Sequence, residues 1–300
     1  SRGLGDVYKR QLHPTLGAEV LNLDITVPLS EAVTAAIERA IDDYGVLVFR
    51  GQALTDDAQK RFSRGFGPLE RPDSVSNITQ PSERRISEEM ADISNLNNRN
   101  QLFGRDDRQR MFNLGNRLWH SDSSFRAVPS KFSLLSARSV PSQGGETQFA
   151  DMRAAYDQLD EATRQRIADL VCEHSLLFSR GRLGFDQVLS AAEVEGFKPA
   201  RQALVRTHSV TGRKSLYLSA HAGGIVGWPV PEARIFLAEL TEEATRPENV
   251  YTHVWQIHDL VMWDNRQTMH RARPFNDTEE ERDMRRTTVA GDHMTTEQAA

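Results

Sequence analysis

Trp119-His120-Ser121-Asp122 is the stretch around which this chain can be read. In an extended segment, side chains two positions apart point to the same face, so His120 and Asp122 can reach one ion from a single strand. A distant histidine, His270 in Thr268-Met269-His270-Arg271, completes a set of two imidazoles and one carboxylate. Such a set covers one face of an octahedral metal and leaves three positions open, the arrangement of non-haem Fe(II) oxygenases. A structural zinc site would close its shell, normally with cysteines, and the chain has only Cys172. Spacing alone carries little weight: with nine histidines, about one His-x-Asp triplet arises by chance in a chain of this size. The surrounding text therefore has to supply a fold that brings the middle and the end of the chain together.

Downstream of the triplet, residues 131–137 (Phe132, Leu134, Leu135) and 146–150 read as strands separated by a turn cluster at 141–145. Helical spacing returns over 152–159 and 161–171, where Ile167, Leu170 and Val171 form an apolar stripe. Further strands are expected at 203–207, 215–219, 250–255, 259–264 and 284–291, with a helix starting at Pro231 and running toward Thr245. Upstream, Ser30 is placed to cap a helix over 31–44 with Val33, Ile37, Ile41 and Tyr44 on one face. The continuous apolar run Val46-Leu47-Val48-Phe49 behind Gly45 has the character of a strand buried on both faces. Thr55 offers a second cap, followed by Asp56 and Asp57 where the helix dipole favours acids, and by Ala58, Phe62 and Phe66. Residues 12–29 suggest one or two edge strands. Residues 1–11 fit no pattern and are expected to be an unstructured or non-native leader. Residues 67–117 are polar and irregular; a stretch this long leading straight into His120 is expected to be an active-site lid.

Many short strands with few regular βαβ units predict a mostly β fold with added helices, a sandwich or barrel forming a single domain over 12–293. Hydrophobic and charged contents of 38% and 26% are those of an ordinary globular protein, which excludes a disordered chain. A net charge of −5 with no basic stripe argues for no nucleic acid as partner, and the lack of a long apolar run argues for no membrane. One cysteine and no secretory signal leave cytoplasmic as the expected localisation.

An iron with three open positions needs a co-substrate, and a 2-oxo acid supplies one through its carboxylate and keto oxygens. Its far carboxylate then calls for a cation of fixed geometry, a task suited to the planar fork of arginine. Arg282 and Arg286, four positions apart, share one face of the last expected strand, whereas Arg285 points the other way. Two inward cations would serve two anions.

Four stretches carry a likeness beyond spacing. Trp119-His120-Ser121-Asp122-Ser123-Ser124-Phe125, Gly144-Gly145-Glu146-Thr147-Gln148-Phe149-Ala150-Asp151-Met152-Arg153, Val261-Met262-Trp263-Asp264-Asn265-Arg266 with His270, and Arg285-Arg286-Thr287-Thr288 resemble the taurine dioxygenase family from about Leu12 to Asp292. The resemblance implies a double-stranded β-helix, or jelly roll. It implies Fe(II) bound by His120, Asp122 and His270, and 2-oxoglutarate held at its far carboxylate by Thr147 and Arg282. Arg286 with Asn116 nearby would meet a small anionic organic substrate, dioxygen would be the oxidant, and His221 would line the substrate pocket. The implied reaction decarboxylates 2-oxoglutarate to succinate and CO2 and hydroxylates an aryloxyalkanoate beside its ether oxygen, releasing a phenol and an oxo acid. A homo-oligomer is the expected assembly.

Alternatives within that resemblance are a taurine or alkylsulfonate dioxygenase and an alkyl sulfate dioxygenase, because a cation such as Arg286 accepts sulfonate as well as carboxylate. A jelly-roll ligand-binding or sensing protein without turnover is the non-enzymatic alternative. One departure bears on the substrate: phenoxyacetate-degrading members use lid lysines on the carboxylate, yet no lysine lies between Lys60 and Lys131. Arg84, Arg85 or Arg99 are the available substitutes. His208 is a second pocket candidate, while His174, His253, His258 and His293 are expected to be packing or surface residues.

Overall fold

Ser30 and Gly45 bracket the first helix, Glu31–Tyr44, in the way their chemistry requires. The Ser30 hydroxyl accepts from the Val33 N–H, and Gly45 turns the chain at φ +69°, donating to the Ile41 carbonyl at 2.9 Å. A side chain at 45 would be forced into the left-handed region and would meet Leu16 at 3.0 Å and Thr268 at 3.2 Å. The chain thus drops directly into the strand Val46–Phe49, which is buried at every position. The computed structural model describes residues 7–71 and 78–297, and the statements below concern these.

Val46–Phe49 lies in a seven-stranded sheet. Its order is Tyr8–Gln11, Ala18–Leu21, Val46–Phe49, Leu260–Asp264, Phe132–Ser139, Asp283–Val289 and Ala91–Asp92. All neighbours run antiparallel except Ala18–Leu21 beside Val46–Phe49. A three-stranded sheet, Val250–His253, Thr147–Asp151 and Thr268–Ala272, faces it. The core between them takes alternate residues of the larger sheet, Val46, Val48, Leu135, Val261, Trp263 and Met284, together with Phe149 of the smaller. The intervening residues Leu47, Phe49, Phe132, Leu134, Leu260 and Met262 point outward under Ile37, Ile41 and Phe62 of the first two helices. Burial on both faces explains why these strands read as unbroken apolar runs. On the far side, Ala150 and Met269 pack beneath Leu237 and Leu240 of the helix Val230–Ala244. The two facing sheets with helices outside are the jelly roll.

Several expectations change. Tyr8–Gln11, read as part of an unstructured leader, forms a strand antiparallel to Ala18–Leu21, with Arg10 bonded to Glu19. It is exposed, so polar composition hides a strand held by ladder hydrogen bonds rather than by burial. The helix expected to reach Val171 stops at Ile167, because Val171–His174 pairs with Ala200–Ala203 and Ala222–Ile225. The expected strand over 203–207 divides at Leu204, whose N–H turns aside to the Leu170 carbonyl. Arg282 precedes the strand Asp283–Val289, and a register shift between Asp283 and Met284 breaks the simple alternation that linked it to Arg286.

A buried ion pair ties the two sheets to the first helix. Arg153 bonds both oxygens of Asp151 at 2.9 and 3.1 Å and also reaches the carbonyls of Asp43 and Thr15. Both side chains are almost wholly buried. Replacing Arg153 by Met strands the Asp151 carboxylate, so urea unfolding should show a loss of about 3–5 kcal/mol; a loss under about 1 kcal/mol would mean that the pair is not closed in solution.

Candidate active site

His120 and His270 face each other across an antiparallel bridge. The His120 N–H donates to the His270 carbonyl at 3.0 Å, and the His270 N–H returns a bond to the His120 carbonyl at 2.8 Å. His270 lies mid-strand, opposite Phe149, so the bridge makes His120 one further residue on the edge of the smaller sheet. The expected strand through both His120 and Asp122 is thus only one residue long. Asp122 is in the turn that follows, and Ser123 takes φ +54°. The turn, and not strand alternation, aims the carboxylate.

The three donor groups converge. Asp122 Oδ1 lies 3.7 Å from His120 Nε2 and 3.8 Å from His270 Nε2, and all three residues are buried. The His120 Nδ1–H is engaged by the Leu118 carbonyl at 2.7 Å, which leaves the Nε2 lone pair free for a metal. Asp122 Oδ2 accepts from the Ser133 hydroxyl at 2.7 Å, Ser133 accepts from Asn265 Nδ2, and Asn265 Oδ1 accepts from the Asp122 N–H and from Trp263 Nε1. The larger sheet therefore fixes the carboxylate from behind and leaves Oδ1 toward the imidazoles. Burial pushes both imidazoles below their ordinary value despite the neighbouring carboxylate, so they are neutral lone-pair donors. Burial alone would raise the Asp122 carboxyl; the Arg286 guanidinium and the Ser133 hydroxyl hold it well below the carboxylate range. Two neutral nitrogens and one anionic oxygen on one side of a shared point fit a divalent metal with open positions.

A second cluster has the same donor types. His208 Nε2 lies 3.3 Å from both Asp42 Oδ1 and Asp264 Oδ2. Here Arg266 bonds both carboxylates, and although burial alone would lower His208 the two carboxylates raise it above its ordinary value, so positive charge already occupies the group and it is a structural lock. His208, a pocket candidate by sequence, belongs to this lock. His174 is buried and stacks on Tyr217, and His253 pairs with Asp259, as packing residues.

A cavity of about 400 Å³ opens beside the triad, lined by His120, Asp122, Asn116, His221, Phe125 and Arg286 among others. Much of its remaining wall comes from residues 70–71 and 78–113, the stretch expected to be a lid; residues 72–77 of that stretch lie outside the described residues. Arg286 donates to Asp122 Oδ1 at 2.6 Å. His221 has its Nδ1 2.9 Å from Ser179 Oγ and its ring 6.0 Å from that of His120. Thr147 and Arg282 are not among the cavity's lining residues. Arg282 is buried against Gly145, where an added Cβ would lie 3.4 Å from its Cδ and Nε. Its backbone is clasped by Asn95, but its guanidinium has no acidic partner among the described residues. Burial pushes it down only to about 10, so it remains a cation. A buried, uncompensated guanidinium packed against Gly145, two residues before Thr147, is a ready carboxylate site. The Thr147 hydroxyl accepts from Trp255 Nε1 at 2.9 Å, which frees its own proton to be donated.

Sequence reasoning did not single out Ser133 and Asn265, which orient Asp122, or Glu70, which accepts from the Ser123 hydroxyl at 2.7 Å inside the cavity. The lid arginines are committed elsewhere: Arg85 to Asp92 and Asp283, Arg84 to Glu88.

The family described as taurine catabolism dioxygenase TauD, TfdA matches residues 9–288. The alpha-ketoglutarate-dependent 2,4-dichlorophenoxyacetate dioxygenase of Cupriavidus pinatubonensis is 44% identical over 286 residues, covering 95% of this chain and 98% of that protein. The (S)-phenoxypropionate/alpha-ketoglutarate-dioxygenase of Sphingobium herbicidovorans is 37% identical over 289 residues, 94% of each. Among solved structures, AAD-2 in complex with Mn(II) and N-oxalylglycine superposes with a TM-score of 0.93 at 51% identity, covering 97% of this chain and 99% of that one.

If the triad holds a metal, Mn(II) at about 100 times its Kd should raise the unfolding free energy by about 2.7 kcal/mol, and His270→Ala should abolish that gain. The measurement is chemical or thermal unfolding with and without metal; an undiminished gain in the variant would remove His270 from the ligand set.

Proposed function

This chain belongs to the TauD, TfdA family of taurine catabolism dioxygenases, and on that premise we propose that it cleaves a small aryloxyalkanoate at its ether bond. It is an Fe(II)- and 2-oxoglutarate-dependent dioxygenase, an oxidoreductase that consumes dioxygen. The observation that carries the substrate class is near full-length similarity to two aryloxyalkanoate dioxygenases, joined to a cavity of small-ligand size against the buried His120, Asp122 and His270.

His120, Asp122 and His270 would hold the iron, which when bound would supply the oxidising chemistry by which dioxygen converts 2-oxoglutarate to succinate and CO2 and gives its second oxygen atom to a substrate C–H. The protein's part is placement. Ser133 and Asn265 keep Asp122 from rotating, and the Leu118 carbonyl fixes the His120 tautomer. Arg282 receives the far carboxylate of 2-oxoglutarate, with the Thr147 proton as a second donor. On the cavity side, Asn116, His221 and the remaining N–H groups of Arg286 meet the anionic end of the substrate. Phe125 and Phe112 offer apolar surface for its ring. Hydroxylation of the carbon between ether oxygen and carboxylate gives a hemiacetal, which loses the phenol as the hydroxyl becomes the carbonyl of the oxo acid. The residues lining the cavity from 78 to 116 act as the lid that keeps water from this centre.

The test is substrate-stimulated succinate formation with phenoxyacetate, phenoxypropionate, taurine and an alkyl sulfate. Stimulation by an aryloxyalkanoate with stoichiometric phenol release is expected; stimulation by taurine or the sulfate alone would replace the assignment. Arg282→Gln should raise the KM for 2-oxoglutarate at least about tenfold, since a charge-assisted pair contributes about 1.5–3 kcal/mol, and an unchanged KM would place the co-substrate elsewhere.

A further inference from the structure

The cavity contains a charge that no acidic group among the described residues answers. Its arginines are mostly spent: Arg84 on Glu88, Arg85 on Asp92 and Asp283, Arg108 on Glu193, Arg126 beside Glu70, and Arg286 on Asp122. Arg180 is different. It lines the cavity, is only 4% exposed, and has no acidic partner among the described residues. Its one side-chain donor contact among the described residues is Nη1 to Ser179 Oγ at 3.1 Å, while its Nε is buried without a partner. A guanidinium this deep without a counter-ion is costly unless an anion arrives.

The surroundings are built to hold that guanidinium in place. One face lies 4.2 Å from the centre of the Phe112 ring. Its edge lies so close to Gly115 that an added Cβ would fall 2.2 Å from Nη1. Ser179 joins it to the substrate side of the site: the hydroxyl donates to the Leu176 carbonyl and accepts from Arg180 Nη1, so its second lone pair takes the His221 Nδ1–H. His221 is thereby set with Nε2 away from Ser179, its ring 6.0 Å from that of the proposed ligand His120. Ser179 of the helix Leu176–Gly181 thus links the Arg180 cation and the His221 imidazole into one unit.

We propose that Arg180, positioned by Phe112, Ser179 and Gly115, is the charge that binds the substrate's carboxylate and takes the place of the lid lysines this chain lacks. The identity of the anion rests on the aryloxyalkanoate reading; the role of Arg180 does not. Arg286 contributes hydrogen-bond donors beside the metal-facing Asp122, and Arg180 adds a buried cation with no acidic neighbour among the described residues. A carboxylate on Arg180 turns the aryl ether toward the metal side of the cavity and makes net negative charge the entry requirement for substrates.

The test is calorimetric binding to the full chain loaded with Mn(II) and N-oxalylglycine, comparing phenoxyacetate with its neutral isostere 2-phenoxyacetamide. Arg180→Met should weaken the acid about 100-fold and change the amide less than about threefold, because truncating one side of a buried charge pair costs about 30-fold or more in affinity, whereas losing surface contact costs little. Gly115→Ala keeps the arginine but displaces it, and should lower the same acid-to-amide ratio. Arg180→Lys should retain an acid preference with acid affinity down about tenfold, a point charge replacing a fork. Unfolding midpoints and Mn(II) loading check that each variant is folded. An unchanged ratio in both Arg180→Met and Gly115→Ala overturns the proposal. Should the wild type bind no aryloxyalkanoate but bind an alkyl sulfate in an Arg180-dependent way, the substrate class falls and Arg180 stands; Arg180-independent binding of every anion overturns Arg180 alone.

Discussion

Two backbone hydrogen bonds between His120 and His270 are the constraint from which the candidate site follows. They join a turn at the end of the lid region to the edge strand of the smaller sheet, and they set which way both imidazoles face. A slip of one residue along that edge would send His270 to the opposite face, beneath the outer helices where Met269 now packs. The larger sheet supplies the other half of the arrangement through Trp263, Asn265 and Ser133, which hold Asp122 from behind. The donors meet because two sheets meet, and they close where Trp263, His270 and Phe149 pack ring against ring.

The interior carries many ions, and their pairing separates structure from function. Asp151 with Arg153, and Asp42, His208 and Asp264 with Arg266, are closed sets in which each charge is matched by short hydrogen bonds. Burial of such sets costs desolvation that only full pairing offsets. Arg282, Arg180 and Arg206 are buried without an ion-pair partner among the described residues; Arg206 lies over the Tyr217 ring, whereas Arg180 lines the cavity and Arg282 packs against Gly145. The same contrast distinguishes the two His/Asp clusters, which look alike by donor type: one contains an arginine bonded to both carboxylates, the other lies beside a cavity that His120 and Asp122 line.

The lid shows how charge pattern misleads when read along the chain. Arg84 and Arg85 stood as stand-ins for absent lysines, yet nearby acids at Glu88, Asp92 and Asp283 absorb them. Arg180 lies in a short helix of mixed composition, and nothing in its neighbours marks it as a site residue. Its isolation exists only once Gly115, Phe112 and Ser179 surround it.

The sequence by itself determined the sheet core, the first two helices with their caps, and the identity of the candidate metal donors. Each depends on local chemistry: apolar runs buried on both faces, Ser30 and Thr55 hydroxyls meeting orphan N–H groups, and donor types that suit one class of ion. Tertiary structure alone decided that Tyr8–Gln11 is a strand, that His208 belongs to a structural lock, that Arg286 bonds Asp122, and that Arg180 faces the cavity unpaired. Those outcomes turn on which charges meet across the fold, and pairings between residues more than 100 positions apart leave no periodic trace in the chain.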